Sequence, residues 1–186
     1  MAIHSYPADP ATIGAGLLVG RLVLGLLMAA HGTQKLLGWF GGYGIAGTGG
    51  FLETLGFRPG RTFAATASLT EVVGGLLVAA GLLGPVGPAL MLSVMIVAAV
   101  SVHWRNGIFA ANNGIELPLL YGTGAFTLAL TGPGVFSLDA LAGIDAVWTP
   151  GLKAAVLAIG VLGGAANLLA RRPAPAAATN GQGVTA

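Results

Sequence analysis

Residues Gly14 to Leu37 read GAGLLVGRLVLGLLMAAHGTQKLL, an apolar run in which Arg21, His31, Gln34 and Lys35 are the only charged, imidazole or amide side chains. As an α-helix this stretch would be about 36 Å long, enough to cross a hydrocarbon layer of roughly 30 Å with some tilt. The rest of the chain agrees: 55% of its 186 residues are hydrophobic and 8% are charged, and the mean hydropathy is +0.85. A soluble domain is about one quarter charged. The run therefore decides the class, an all-α integral membrane helical bundle.

Four further runs follow. Phe63 to Leu83 contains Glu71; Gly87 to Trp104 ends in His103 and is turned back on its predecessor by Pro85 to Pro88. Ile115 to Thr131 begins with Glu116 and Pro118, and proline is tolerated in a first helical turn because that amide has no helical partner. Leu152 to Ala170 is the fifth, stopped by Arg171, Arg172 and Pro173.

With five spans, Lys35, Arg58, Arg61, Arg105, Arg171 and Arg172 gather on one side, against Lys153 on the other with Asp9, Asp139 and Asp145. The positive-inside rule then places the N-terminus outside and the C-terminus in the cytoplasm of a multi-pass cell-membrane protein. Residues 1–13 lack a basic stretch ahead of the first run, so a cleavable signal peptide is not expected. Between spans, residues 38–62 carry Trp39, Phe40 and Tyr43 suited to an interfacial aromatic belt. Phe51, Leu52, Leu55 and Phe57 there are placed to line one face of a short interfacial helix. Residues 132–150 have room for another short helix with Asp139 near its start. The tail 173–186 has the composition of a disordered segment.

Several chemistries drop out. Without cysteine there are no iron–sulfur clusters, thiol relays or thiolate zinc sites. The net charge of +2 rests on too few groups to argue for nucleic acid. Gly42-Tyr43-Gly44-Ile45-Ala46-Gly47 is a formal GxGxxG, but the dinucleotide fingerprint needs a βαβ setting, so a flexible or tightly packed loop is the better reading. The pairs Gly16/Gly20 and Gly160/Gly164 allow close helix contact, more readily within the chain than between chains.

The polar residues inside the spans carry the functional signal. Helical spacing puts Arg21, Met28, His31 and Lys35 on one face of the first span. An arginine in mid-span costs about 2.5–3.5 kcal/mol on insertion scales, so Arg21 should turn inward and meet a carboxylate. His31 and Glu71 lie about 9 and 12 Å in from the same end, near enough to meet. His103 and Glu116 begin or end their spans on that side too. The cluster His31, Gln34, Lys35, Glu71, His103 and Glu116 has two readings: ion pairs that hold the bundle together, or a functional site. Burial cost favours function for Arg21, His31 and Glu71. Haem ligation by His31 and His103, or a metal held with Glu71 and Glu116, is a lesser alternative because no ligand-spacing motif is present.

Arg21, Gly25, His31-Gly32-x-Gln34-Lys35-Leu36, Leu55-Gly56-Phe57-x-Pro59, Glu71-x-x-Gly74-Gly75 and Gly132-Pro133-Gly134-x-x-Ser137-Leu138-Asp139 together resemble the DoxX family over residues 14–142. That resemblance implies a four-helix membrane domain; residues 143–172, with the fifth span, are a departure from it. It implies membrane redox chemistry, since relatives include the membrane subunit of thiosulfate:quinone oxidoreductase and proteins linked to oxidative-stress defence. The expectation is a membrane subunit of a quinone-linked oxidoreductase, with Glu71, His31 and His103 as catalytic candidates and Gln34, Lys35, Arg21 and Glu116 as quinone-binding candidates. Expected partners are the lipid bilayer, soluble redox enzymes at the cytoplasmic loops, and a homo-oligomer or larger membrane complex. The alternative is a non-catalytic anchor whose first loop, with Glu53, Arg58 and Arg61, docks soluble enzymes.

Overall fold

The computed structural model describes residues 9–172; the expectations for 1–8 and 173–186 lie outside them. The described chain is helical, in the order α1 (Pro10–Leu37), α2 (Gly44–Thr54), α3 (Gly60–Ala80), α4 (Val86–Ala98), α5 (Glu116–Thr131), α6 (Leu138–Ala142) and α7 (Pro150–Leu169). A wide π turn, Ala99–His103, and a tight turn, Trp104–Asn106, prolong α4. Four of these, α1, α3, α4 with its extension, and α7, are long and apolar enough to cross a membrane. The fifth expected span, α5, has 16 residues and measures about 24 Å, shorter than the usual hydrocarbon thickness.

The first helix starts four residues earlier than its apolar run because Asp9 caps it and Pro10 opens it: the Asp9 carboxylate accepts from the Thr12 amide at 3.1 Å. The α1–α3 seam is glycine-built. A Cβ on Gly75 would stand 2.5 Å from the Gly25 carbonyl oxygen, and one on Gly32 would stand 2.6 Å from the Val72 side chain. Only residues without side chains let two backbones approach so closely. Since Gly25 faces Gly75 and Ala79 while Gly32 faces Ser68 and Val72, the two helices run antiparallel.

Gly160 and Gly164 pack in the same way on Ala89 and Ser93 of α4, within the chain as expected. Gly16 and Gly20 meet nothing within 4 Å, so the within-chain reading does not hold for that pair. At the bundle centre Met28, Val78, Met91, Met95 and Ala125 form one apolar cluster, with Leu24, Tyr121 and Leu128 packed against it.

The loops order themselves at both ends. In α2, Glu53 caps the start of α3 by accepting from the Gly60 amide at 2.9 Å, and Gly42 packs on the Gln34 backbone. No strand occurs among the described residues, so the GxGxxG has no dinucleotide setting. Trp39, Phe40 and Tyr43 are exposed, as a belt requires. The expected apolar face of this loop helix is only partly formed. Phe51 points outward, whereas Phe57, past the end of α2, is buried against Phe63 with the Arg171 guanidinium 5.4 Å from its ring centre.

Candidate functional site

The sequence cluster separates into three groups. The first centres on Glu71, which has no exposed surface and forms an ion pair with Lys35. Lys35 starts nearer the helix end, but side chains on a helix lean towards its N-terminus, so its stem runs inward over the preceding turn. Its side chain stays about a third exposed, at 35%. One Glu71 oxygen takes Lys35; the other, Oε2, is buried without a partner. A buried polar atom with no partner costs about 1–3 kcal/mol, more when charged, so this one demands an explanation.

His31 does not meet Glu71, contrary to the expectation. Its ring is exposed, pairs through Nδ1 with Gln34 Oε1 at 3.2 Å, and stands edge-on to Tyr121 with centroids 5.8 Å apart. The Gln34 amide nitrogen donates to the Phe40 carbonyl at 3.2 Å, which turns its oxygen towards His31. Nδ1 is then the donor, and Nε2 is left free to accept. Glu71, Lys35, Gln34, His31 and Tyr121 thus form a layer that runs from the buried core to the flank between α1 and α5. Tyr121 was not among the sequence candidates; its i, i+4 relation to Leu117 and Ala125 reads as ordinary packing.

The second group closes the loop after α4. His103 Nδ1 donates to the Asn113 carbonyl at 2.8 Å, Asn106 donates to the same oxygen at 3.1 Å, and Glu116 Oε2 accepts from the Ala110 amide at 2.7 Å. His103 and Glu116 therefore act on local backbone and are not joined to Glu71 by any hydrogen bond in the structure. Ser101, on the π turn, has a buried hydroxyl without a partner; such turns often occur at functional sites.

The third group lies at the opposite end. Arg21 is buried and finds no carboxylate: its guanidinium donates to the Ala79 and Phe136 carbonyls. This places a positive charge at the C-terminus of α3, where the helix leaves carbonyls unpaired and its dipole is negative. The matching carboxylate is Asp139, fully buried, which accepts from the Leu83 amide at 2.8 Å, the Gly84 amide at 2.6 Å and Trp148 Nε1 at 3.0 Å. Ser137 caps the short α6 that carries it. Asp139 fastens the α3–α4 turn to the loop of residues 132–150, a role that its expected place near a helix start did not disclose.

Among the described residues no three His, Asp or Glu side chains converge as a metal site. A small lateral cavity lies between α2, α3, α4 and α7, lined by Phe57, Phe63, Thr66, Thr70, Ser93 and Asn167. It is separate from the Glu71 layer.

An all-α membrane bundle with a charged pair buried near one end is the class these features define. Residues 16–104, from α1 through the π turn, match the model of the DoxX family, which marks a DoxX domain over that part of the chain. No curated protein and no solved structure matches the chain.

Proposed function

We propose that this DoxX-domain protein is the membrane subunit of a quinone-linked redox system, seated in the cell membrane with its basic end in the cytoplasm. The observation that carries the reading is Glu71, a fully buried carboxylate that shares one oxygen with Lys35 and keeps the other unpartnered. A purely structural pair would be expected to satisfy both oxygens, as Asp139 does at the far end.

The donor set suits a quinone ring as substrate. Lys35, His31 and Gln34 reach the flank and can donate to a ring carbonyl, while a carboxylate can only accept and so suits the hydroxyl of a quinol. Interconversion of quinone and quinol moves two electrons and two protons. Lys35 and Glu71 are placed to handle the protons, and His31 Nε2 is a free acceptor beside them. A soluble donor protein supplies the electrons, docking on the exposed Arg58 and Arg61; Glu53 is already engaged in capping α3. The positive residues Arg58, Arg61, Arg105, Arg171 and Arg172 support cytoplasmic placement of that end.

The test is quinone binding by protein purified in lipid, read by extraction and by quenching of Trp39 fluorescence. Wild-type protein should retain quinone. His31→Ala and Lys35→Met should lose it while keeping the helical circular-dichroism signal. Retention by both folded variants would refute the assignment.

A further inference from the structure

We infer that Glu71 is a proton-binding site reached from the basic end of the bundle only, with Lys35 as its moving partner: paired with Glu71 when the carboxylate is charged, released to the interface when it is protonated. The inference rests on the proposed proton role of Glu71 and extends it to a direction and a moving part.

The groups around Glu71 show which way a proton can come. From α1 it faces Lys35, with His31 at the same level; α5 brings Tyr121 edge-on to His31; α2 brings Thr48, bonded to the Lys35 carbonyl, and Glu53, taken up by the Gly60 amide; on α3 itself Ser68 lies a turn nearer the basic end, its hydroxyl donating to the Ala64 carbonyl at 2.6 Å. Gly74 of α3 packs against Leu90 and Met91, so α4 brings methionines and no titratable group to this level. Towards the far end stand Met28, Val78, Met91 and Ala125, none more than 4% exposed. Beyond them Arg21 donates to two carbonyls, with only its Nε unpartnered, and Asp139 accepts from three donors, so no free acceptor stands there for a proton. No polar side chain bridges that apolar plug, whereas Lys35 opens Glu71 to the basic end.

The moving part follows from charge. An ammonium drawn into the bundle is held there by its counter-charge. When Glu71 takes a proton from the aqueous phase it becomes a neutral carboxylic acid, the attraction ends, and Lys35 remains a cation on a long flexible stem. Two residues from the end of α1, beside exposed Trp39 and Phe40, it reaches the interface by turning its stem outward. The unpartnered Oε2, buried beside the Lys35 pair, has the lone pair left to take the proton once Lys35 moves aside.

Lys35 and Lys153 are the only lysines, and they stand at opposite ends of the bundle. Lys153 donates to the Leu130 carbonyl at 3.0 Å and serves as a reference. In permeabilised lipid vesicles, acylation by an amine reagent is read at each lysine by peptide mass spectrometry. The Lys35 to Lys153 ratio should rise several-fold as the bath is acidified. In Glu71→Gln it should be high and independent of pH, and in Glu71→Asp pH dependence should persist. In sealed vesicles with the basic end outward, Lys35 labelling should follow bath pH and ignore lumenal pH.

A flat ratio in wild-type protein, or control by lumenal pH, would overturn the inference; the wild-type series decides it even if a variant does not fold. The assay contains neither quinone nor electron donor, so success here alongside failed quinone binding would remove only the redox reading.

Discussion

Two groups of charged residues at opposite ends of the bundle, Arg21 with Asp139 and Lys35 with Glu71, are held differently. Arg21 and Asp139 bond chiefly to backbone, closing the end of α3 and the turn after it, with a donor, the Arg21 Nε, as the one atom left over. Lys35 and Glu71 spend theirs on each other, and Glu71 retains an unused oxygen. Charge anchored to backbone fixes geometry; charge anchored to a mobile, partly exposed side chain leaves a state open to change. The far end therefore reads as a fastening, and the basic end as a working part.

Mutations can break that contrast, starting from the far end. Asp139→Ala strands two backbone amides and the Trp148 indole, and should destabilise the protein by about 3–5 kcal/mol, measured by detergent-titrated unfolding. Lys35→Met should cost less, about 2 kcal/mol, because the ammonium is partly solvated already. Adding Glu71→Gln to it should recover most of the loss, and acidification should do the same in the single variant. An equal, pH-independent penalty for both single variants would erase the distinction between the two ends.

A smaller effect is expected from Glu116→Gln, about 1 kcal/mol and confined to residues 107–115, where hydrogen exchange should quicken without altering Lys35 reactivity. The smallest belongs to Asp9. Its hydrogen bonds from the Thr12 hydroxyl and amide hold its carboxyl below the usual aspartate value, so its contribution is full above the unfolded value and lost as pH falls through the lowered one. The protection factor of the Thr12 amide, its exchange rate set against the intrinsic rate at the same pH, should fall in acid while that of the centre of α1 is unchanged.

Much of the bundle was legible because long apolar runs punctuated by glycine and proline leave few alternatives in a membrane. Helical spacing also put Arg21, Met28 and Lys35 on an inward side, but it could not say which partner each would take. Lys35 reaches Glu71 because its stem leans back along the helix; His31, four residues earlier, falls on the flank and turns to Gln34. His103 and Glu116 share an end with Glu71, yet the backbone turns of residues 107–115 claim them first. Asp139 was hidden for the opposite reason. It sits in a connecting segment between spans, where a carboxylate is unremarkable, and its burial depends on the distant α3–α4 turn closing over it.

The most direct measurement is the infrared difference spectrum between acidified and neutral protein in lipid. Protonation of Glu71 should give the carbonyl band of a buried carboxylic acid, absent in Glu71→Gln and unaffected by Glu116→Gln. A spectrum with no Glu71-dependent band, or one whose buried-acid band belongs to Asp139, would contradict a proton-binding Glu71.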